Sequence, residues 1–480
     1  MAARTPWCLM PLLASCALLA GPRVSEAADA ARPNVLFIAV DDLNDWVGCL
    51  GGHPQAKTPN IDALAARGVN FTRAYCACPV CNPSRTALML GLRSSTTGVY
   101  SNGIDRRDSK VAMSVVPLNT YFHSQGYYVA GAGKIYHGDG DQFGEWDDYA
   151  KARGGDLPPA AGASGGVGGI RFAPVDGPDE EMHDYHTVSY CLEQLQRKHD
   201  KPFFLACGLH KPHMAWNVPR KYYDQFPLSS IELPKVLESD LDDVPPAGVK
   251  MARPDGDHAD ILKSGRWKEA VQGYLAAGAF CDAMIGRLLK GFDESAYKNN
   301  TIVVFWGDHG WHLGEKQHWR KFTLWEEAAR APLFYVVPGV TKPGSTCERT
   351  VDFMSIYPTL CELCGLETPQ HNEGVSVVSL LKDPTAGWDR PALTTHGKDN
   401  HGVRTERWRY IRYADGGEEL YDHEADPQEW KNLAKDLTKA SVIAELRKHL
   451  PEKNVEDAPT KGGRQGKAAK KKKAKLKAEP

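Results

Sequence analysis

The chain has 480 residues, of which 42% are apolar and 25% charged, enough to fill a large core and to suggest two or three domains. Its mean hydropathy of −0.43 is that of an ordinary soluble globule. The formal net charge of −2 hides an asymmetry: the last twenty residues hold nine Lys or Arg against one Glu, so the other 460 carry −10, which argues against nucleic-acid binding by the body of the protein.

The chain opens as an export signal. Arg4 precedes an apolar run from Trp7 to Ala20, and Ser25-Glu26-Ala27 is a small-x-small cleavage site, so residues 1–27 read as a signal peptide and the mature protein as periplasmic or secreted. Leu13-Ala14-Ser15-Cys16 also has the form of a lipobox, which would make Cys16 a lipid anchor. No other stretch reads as a transmembrane segment. Export permits disulfides, but the cysteine spacing beyond the signal has no framework pattern.

Pro33 to Val40 is a continuous apolar run ending in Asp41-Asp42. It reads as a buried parallel strand whose carboxyl end, where α/β sheets hold ligands, carries two carboxylates. Thr58 to Gly68 has the capping signals of a helix. Cys81-Asn82-Pro83-Ser84-Arg85 then places a cysteine at the mouth of a helix, with Ser84 free to bond backbone donors of the first turn. Cys76-x-Cys78-x-x-Cys81 lacks a fourth ligand nearby, which disfavours a metal cluster.

A helix over 118–126 and a strand over 127–131 lead to Gly133-Lys134-Ile135-Tyr136-His137, a Lys and a His on a turn suited to an oxyanion. Residues 154–169 read as a surface loop, and 179–197 as a helix. A second buried strand over 201–209 ends in His210-Lys211-Pro212-His213. Residues 217–265 read as a long decorating loop and 272–290 as an amphipathic helix. A third strand over 301–306 ends in Gly307-Asp308-His309, so parallel strands would bring Asp308 to the edge that carries Asp41 and Asp42. That oxygen-rich set suits a hard divalent cation such as calcium. Gly314 to Lys321 follows, and 331–339 reads as a strand closing the sheet. Cys361-x-x-Cys364 lies in a helical pattern and reads as packing. From about Gly374 the texture changes: 405–413 alternates like a half-exposed antiparallel strand, 419–422 continues it, and a helix over 437–450 precedes a Lys-rich tail without a packing face.

Cys-x-Pro-Ser-Arg is the signature of the type I sulfatases of the alkaline phosphatase superfamily, and from Pro33 to about Leu433 the chain resembles that family. The resemblance implies an α/β fold with a large, mostly parallel central sheet flanked by helices. It also implies a small C-terminal α+β domain with an antiparallel sheet, the catalytic domain spanning 33–372, the C-terminal domain 373–455 and a disordered tail 456–480. It implies that a maturation enzyme converts Cys81 to formylglycine, whose hydrate attacks sulfur. Asp41, Asp42, Asp308 and His309 would hold one calcium ion together with residue 81, and Arg85 would steady the nucleophile. Lys134 and Lys321 would grip sulfate, His213 would be the general acid supported by His210, and His137 the general base. Leu90 stands where the family has Thr before Gly91, but the five-residue core is intact.

Phe203-Phe204-Leu205-Ala206, His210-Lys211-Pro212-His213 and Asp308-His309 resemble the iduronate-2-sulfatase branch in particular. They imply a sulfated polysaccharide or oligosaccharide substrate, a 2-O-sulfated uronate among the candidates. Two alternatives stand beside this reading: a phosphonate or phosphate-ester hydrolase of the same superfamily, which can share the metal site and the Cys-x-Pro-Ser-Arg core, and a silent glycan-binding protein with Cys81 unconverted. Nothing in the chain sets the oligomeric state.

Overall fold

The computed structural model describes residues 1–3, 32–138, 144–150, 153–155 and 157–460. The export signal with Cys16 and most of the Lys-rich tail lie outside the described residues.

From Pro33 the chain builds an eight-stranded sheet from β1 (Asn34–Val40), β2 (Val69–Tyr75), β3 (Tyr128–Gly133), β4 (Asp148–Tyr149), β5 (Phe203–Leu209), β6 (Thr301–Gly307), β7 (Leu333–Val336) and β8 (Ser345–Asp352), in the order β8-β2-β7-β6-β1-β5-β3-β4. β1 is parallel to both neighbours, β5 and β6. All three central strands are buried along their length, which is why they read as unbroken apolar runs rather than alternating ones.

Each face of the sheet has its own core. Leu36, Ile38 and Val40 meet the helices Pro59–Ala65, His183–Gln196 and Trp267–Glu294, while Val35, Phe37 and Ala39 meet Cys81–Leu90, Leu118–Ser124 and Ile356–Leu363. The register aligns Val40 with Leu209 on one side and Gly307 on the other. Asp41-Asp42, His210 and Asp308-His309 therefore leave the sheet at one edge.

Two sequence expectations need correction here, and two strands gave no signal in the sequence. The strand read as closing the sheet, β7, is internal and antiparallel to both β6 and β2, with β8 beyond them. β2 and β8 carry polar residues through their length, and β8 is partly exposed, so neither gives the apolar signal of a central strand. The expected loop over 217–265 contains a strand, Trp216–Pro219, paired with Phe172–Val175, and the helices Arg220–Tyr223, Pro246–Ala252 and Ala259–Ser264. Those pieces are too short to show a period.

The second sheet is antiparallel in chain order, Ala392–Thr395, His401–Arg404, Trp408–Arg412 and Glu418–Asp422. The three central residues of its Trp408–Arg412 strand are buried rather than alternating, because both faces are covered there. Tyr410 and Leu420 meet Ile443 and Leu446 of the helix Ala440–Arg447, and Ile411 and Tyr421 meet Leu324 and Trp325. Cys361 and Cys364 are buried and form no disulfide, as the packing reading expects, and neither do the other cysteines from Cys49 onward.

Candidate active site

The site begins where β1 stops. Asp42 takes a left-handed backbone (φ 58°), which Asp tolerates better than most residues. Its N–H donates to Asp308 Oδ1 at 2.9 Å, and its carbonyl accepts from the Tyr274 hydroxyl at 2.8 Å. The same hydroxyl accepts the Asn44 N–H at 2.9 Å, and the Asp308 N–H donates to Val40 O at 3.0 Å. The two acidic turns are thus stapled to each other and to the long helix Trp267–Glu294. Cys81 is the first residue of its helix. Ser84 does not cap that helix as the sequence suggested: its hydroxyl donates to Asp308 O at 2.6 Å, tying the helix to β6.

Three carboxylates and three cations meet here with almost no water contact. Arg85, wholly buried, donates from Nε to Asp308 Oδ2 at 2.8 Å and from Nη2 to Asp41 Oδ1 at 3.4 Å. Its Nη1 reaches the carbonyls of Lys134 and Ile135. Lys134 pairs with Asp41. Lys321 Nζ lies 2.6 Å from Asp42 Oδ1 and 3.4 Å from Cys81 Sγ. Burial alone would push the Asp41 carboxyl up, but Lys134 and its other cationic neighbours hold it well below the usual range. Against the same burial, Lys321 holds Asp42 below its ordinary value. Burial pushes the Cys81 thiol up to about 12 despite both lysines, so as encoded it is a protonated thiol at neutral pH.

The histidines line the same space. His309 Nδ1 lies 3.0 Å from Gly310 O, which places its proton there and turns the Nε2 lone pair inward. That lone pair faces Cys81 Sγ at 3.3 Å, Asp42 Oδ1 at 3.4 Å and Asp308 Oδ1 at 3.6 Å. His213 Nε2 is 4.0 Å from Asp42 Oδ2, and its ring is 4.8 Å from that of His210. Burial lowers the pKa of both His213 and His210, the latter to about 4. Burial and then Lys134 push His137 down to about 4. His137 and His213 are only partly buried, so they mark the open side of the pocket.

The donor set fits a cation. Ligand atoms of Asp41, Asp42, Cys81 and His309 lie within 4.8 Å of one another, and Asp42 Oδ2 is buried without a hydrogen-bond partner. With the ring proton on Nδ1, the Nε2 lone pair faces two carboxylate oxygens, an arrangement that a bound cation would satisfy. Cys76 and Cys78 join no metal-ligating group among the described residues. Another candidate ligand set, Glu326, His423 and Glu429, is taken up by Arg404 and Arg409 and reads as a structural ion network.

The family profile described as Sulfatase matches residues 33–366, and one described as N-sulphoglucosamine sulphohydrolase, C-terminal, matches 314–456. The chain belongs to the sulfatase family. It is a type I sulfatase of the alkaline phosphatase superfamily, a sulfuric ester hydrolase. It is 40% identical over 88% of its length to a sulfatase of Formosa agariphila, of which 87% is covered. It is 28% identical over 85% of its length to an ulvan-active sulfatase of the same organism (78% covered), and 29% over 75% to human iduronate 2-sulfatase (74% covered). Among solved structures, a phosphonate monoester hydrolase of Agrobacterium radiobacter superposes with a TM-score of 0.74, over 88% of this chain and 97% of that one. At 22% identity this likeness speaks to fold alone.

All eleven residues singled out from the sulfatase's sequence lie around this pocket. Sequence reasoning missed its supports. Asp184 accepts the backbone N–H groups of His210 and Lys211 at 2.7 and 2.8 Å, and Tyr274 holds the Asp42 turn. Neither sits in a motif, and a helical Asp or Tyr carries no signal of its long-range partner. Tyr274→Phe strands the Asn44 N–H and the Asp42 carbonyl. It should lower unfolding free energy by about 1–3 kcal/mol and reduce turnover of an aryl sulfate. An unchanged denaturation midpoint together with wild-type turnover would show that the staple does not matter.

Proposed function

We propose that this sulfatase removes sulfate from a sulfated polysaccharide or its oligosaccharides, a 2-O-sulfated uronate being the preferred group. In this reading Cys81 is converted to formylglycine by a maturation enzyme, and one calcium ion is held by Asp41, Asp42, Asp308 and His309 together with residue 81. The observation that carries the reading is the setting of residue 81. It stands in a dry cluster with lysine and histidine nitrogens within 3.4 Å, yet as a thiol it is protonated and a poor nucleophile. Conversion supplies a hydrated aldehyde, one hydroxyl of which can attack sulfur while the other later expels sulfate and regenerates the aldehyde.

The charge balance supports the metal. The three carboxylates and three cations cancel, so a dication makes the pocket positive, the field that an anionic ester requires. Bound calcium would lower the pKa of the attacking hydroxyl and offset ester charge. Lys134, paired with Asp41, and Lys321, paired with Asp42, grip sulfate oxygens, and Arg85 fixes Asp41 and Asp308. His213, on the open side with His210 beside it, would donate the proton that the leaving sugar oxygen needs when its ring carries the second proton, which Asp42 and Asp41 favour against burial. His137, neutral at pH 7 by its lowered pKa, can accept the proton released when sulfate departs.

The glycan reading draws on the relatives named for iduronate and ulvan. It fits export by the leader over 1–27, and no helix among the described residues is long and apolar enough to cross a membrane. We divide the protein into a catalytic domain over 33–372 and a smaller domain over 373–455.

The purified enzyme should cleave an aryl sulfate about 10²-fold more efficiently in kcat/KM than the matching aryl phosphate; the reverse order would make it a phosphate- or phosphonate-ester hydrolase. Calcium at a hundred times its Kd should stabilise the chelator-stripped protein by about 2.7 kcal/mol and restore turnover, measured by thermal unfolding and initial rates. Full activity in excess chelator would remove the metal from the account.

A further inference from the structure

Lys321 sits on a loop that does not hold its own shape. Lys316, Gln317, Arg320 and Phe322 all have positive φ, from 49° to 81°, a strained conformation for any residue with a Cβ. The neighbours must therefore fix it. The Lys316 ammonium is 2.6 Å from Asp240 Oδ1 and also bonds the Glu429 carbonyl. Arg320 donates to Asp257 Oδ2 at 2.6 Å and to Gly169 O at 2.8 Å.

Between these anchors stands His318, only 5% exposed. Its Nδ1 is 2.6 Å from Ala252 O, and its Nε2 is 2.6 Å from Lys321 O. Carbonyl oxygens only accept, and a neutral imidazole has one N–H. With one proton on the ring, one contact sets a nitrogen lone pair against an oxygen lone pair. Both contacts are hydrogen bonds only when the ring is an imidazolium, and their shortness is that of charge-assisted bonds.

We infer that His318 is a positioning residue, which fixes Lys321 by donating from both ring nitrogens and does so only while the ring carries its second proton. Loss of that proton breaks one end of the strut. The end released is either the Lys321 carbonyl, next to the side chain that reaches Asp42, or the last turn of Pro246–Ala252 that backs the ring. The groups facing His318 are Asp257, Arg320, the His312 ring at 5.0 Å, His258 and His396. His312 is satisfied separately by Thr323 Oγ1 at 2.8 Å and Glu315 O at 3.1 Å. Burial pushes the His318 pKa down and the two carbonyls push it back, leaving it below the ordinary histidine value. The strut is accordingly complete on the acid side of neutrality and weakens as pH rises. The inference rests on the proposed role of Lys321 as a grip on sulfate.

Imidazole nitrogen NMR of the full-length holoenzyme tests it beside kinetics. The spectrum should show both His318 nitrogens protonated at acid pH, and one proton should be lost at the same midpoint at which KM for an aryl sulfate rises. His318→Gln can donate at one end and cannot titrate. It should raise KM about fivefold with kcat within about twofold, and its KM should lose that pH limb. A bare ring nitrogen throughout the pH range, or a glutamine variant with wild-type KM and an unchanged profile, overturns the inference. Lys321→Ala separates the two claims: if it keeps wild-type KM, the sulfate-grip reading fails, whereas a crippled Lys321→Ala beside a wild-type-like His318→Gln refutes the strut alone. If His318→Gln does not fold, the wild-type spectrum and KM profile decide, coincident midpoints supporting the strut and separate midpoints refuting it.

Discussion

Asp41, Asp42 and Asp308 are withdrawn from water within reach of one another, and a carboxylate so placed is tolerable only beside compensating charge. Removing any one partner leaves a buried ion uncompensated, at a cost of about 3–5 kcal/mol. Arg85 is the hinge of that balance. It is fully buried, it touches two of the three carboxylates, and two backbone carbonyls take its remaining fork. A lysine there could reach neither set together, because the arrangement uses a planar, multivalent donor.

The fold exists to hold this balance at one place. Parallel pairing of β1 with β5 and β6 delivers Asp41, Asp42, His210, Asp308 and His309 to one edge. The helix that starts at Cys81 is pinned to that edge by Ser84. Lys321 arrives from a strained loop whose shape depends on the C-terminal region, since Lys316 bonds the carbonyl of Glu429, beyond the last strand of the second sheet. The C-terminal region thus takes part in building the pocket.

Much of this was legible in the sequence because the reacting groups sit in short motifs at the ends of apolar runs. Cys81 to Arg85, Lys134 with His137, and Asp308-His309 each follow directly from such a run or a helix start. The strands with mixed surfaces, β2 and β8, were not legible, since a polar strand near a sheet edge looks like a loop. The antiparallel direction of β7 was hidden as well, because hydropathy carries no sense of direction. The supports Asp184, Tyr274 and His318 act on groups distant in sequence or through a backbone carbonyl, and neither kind of contact leaves a pattern along the chain.

The central claim is that a protonated thiol at position 81 is only the precursor of the reacting group. It is tested most directly by a mass spectrum of the peptide spanning Cys81, taken from enzyme made in its native host and shown to cleave a sulfate ester. The account predicts a peptide lighter than the cysteine form by the thiol-to-aldehyde change and reactive toward hydrazide. An intact Cys81 thiol throughout a fully active preparation would contradict it.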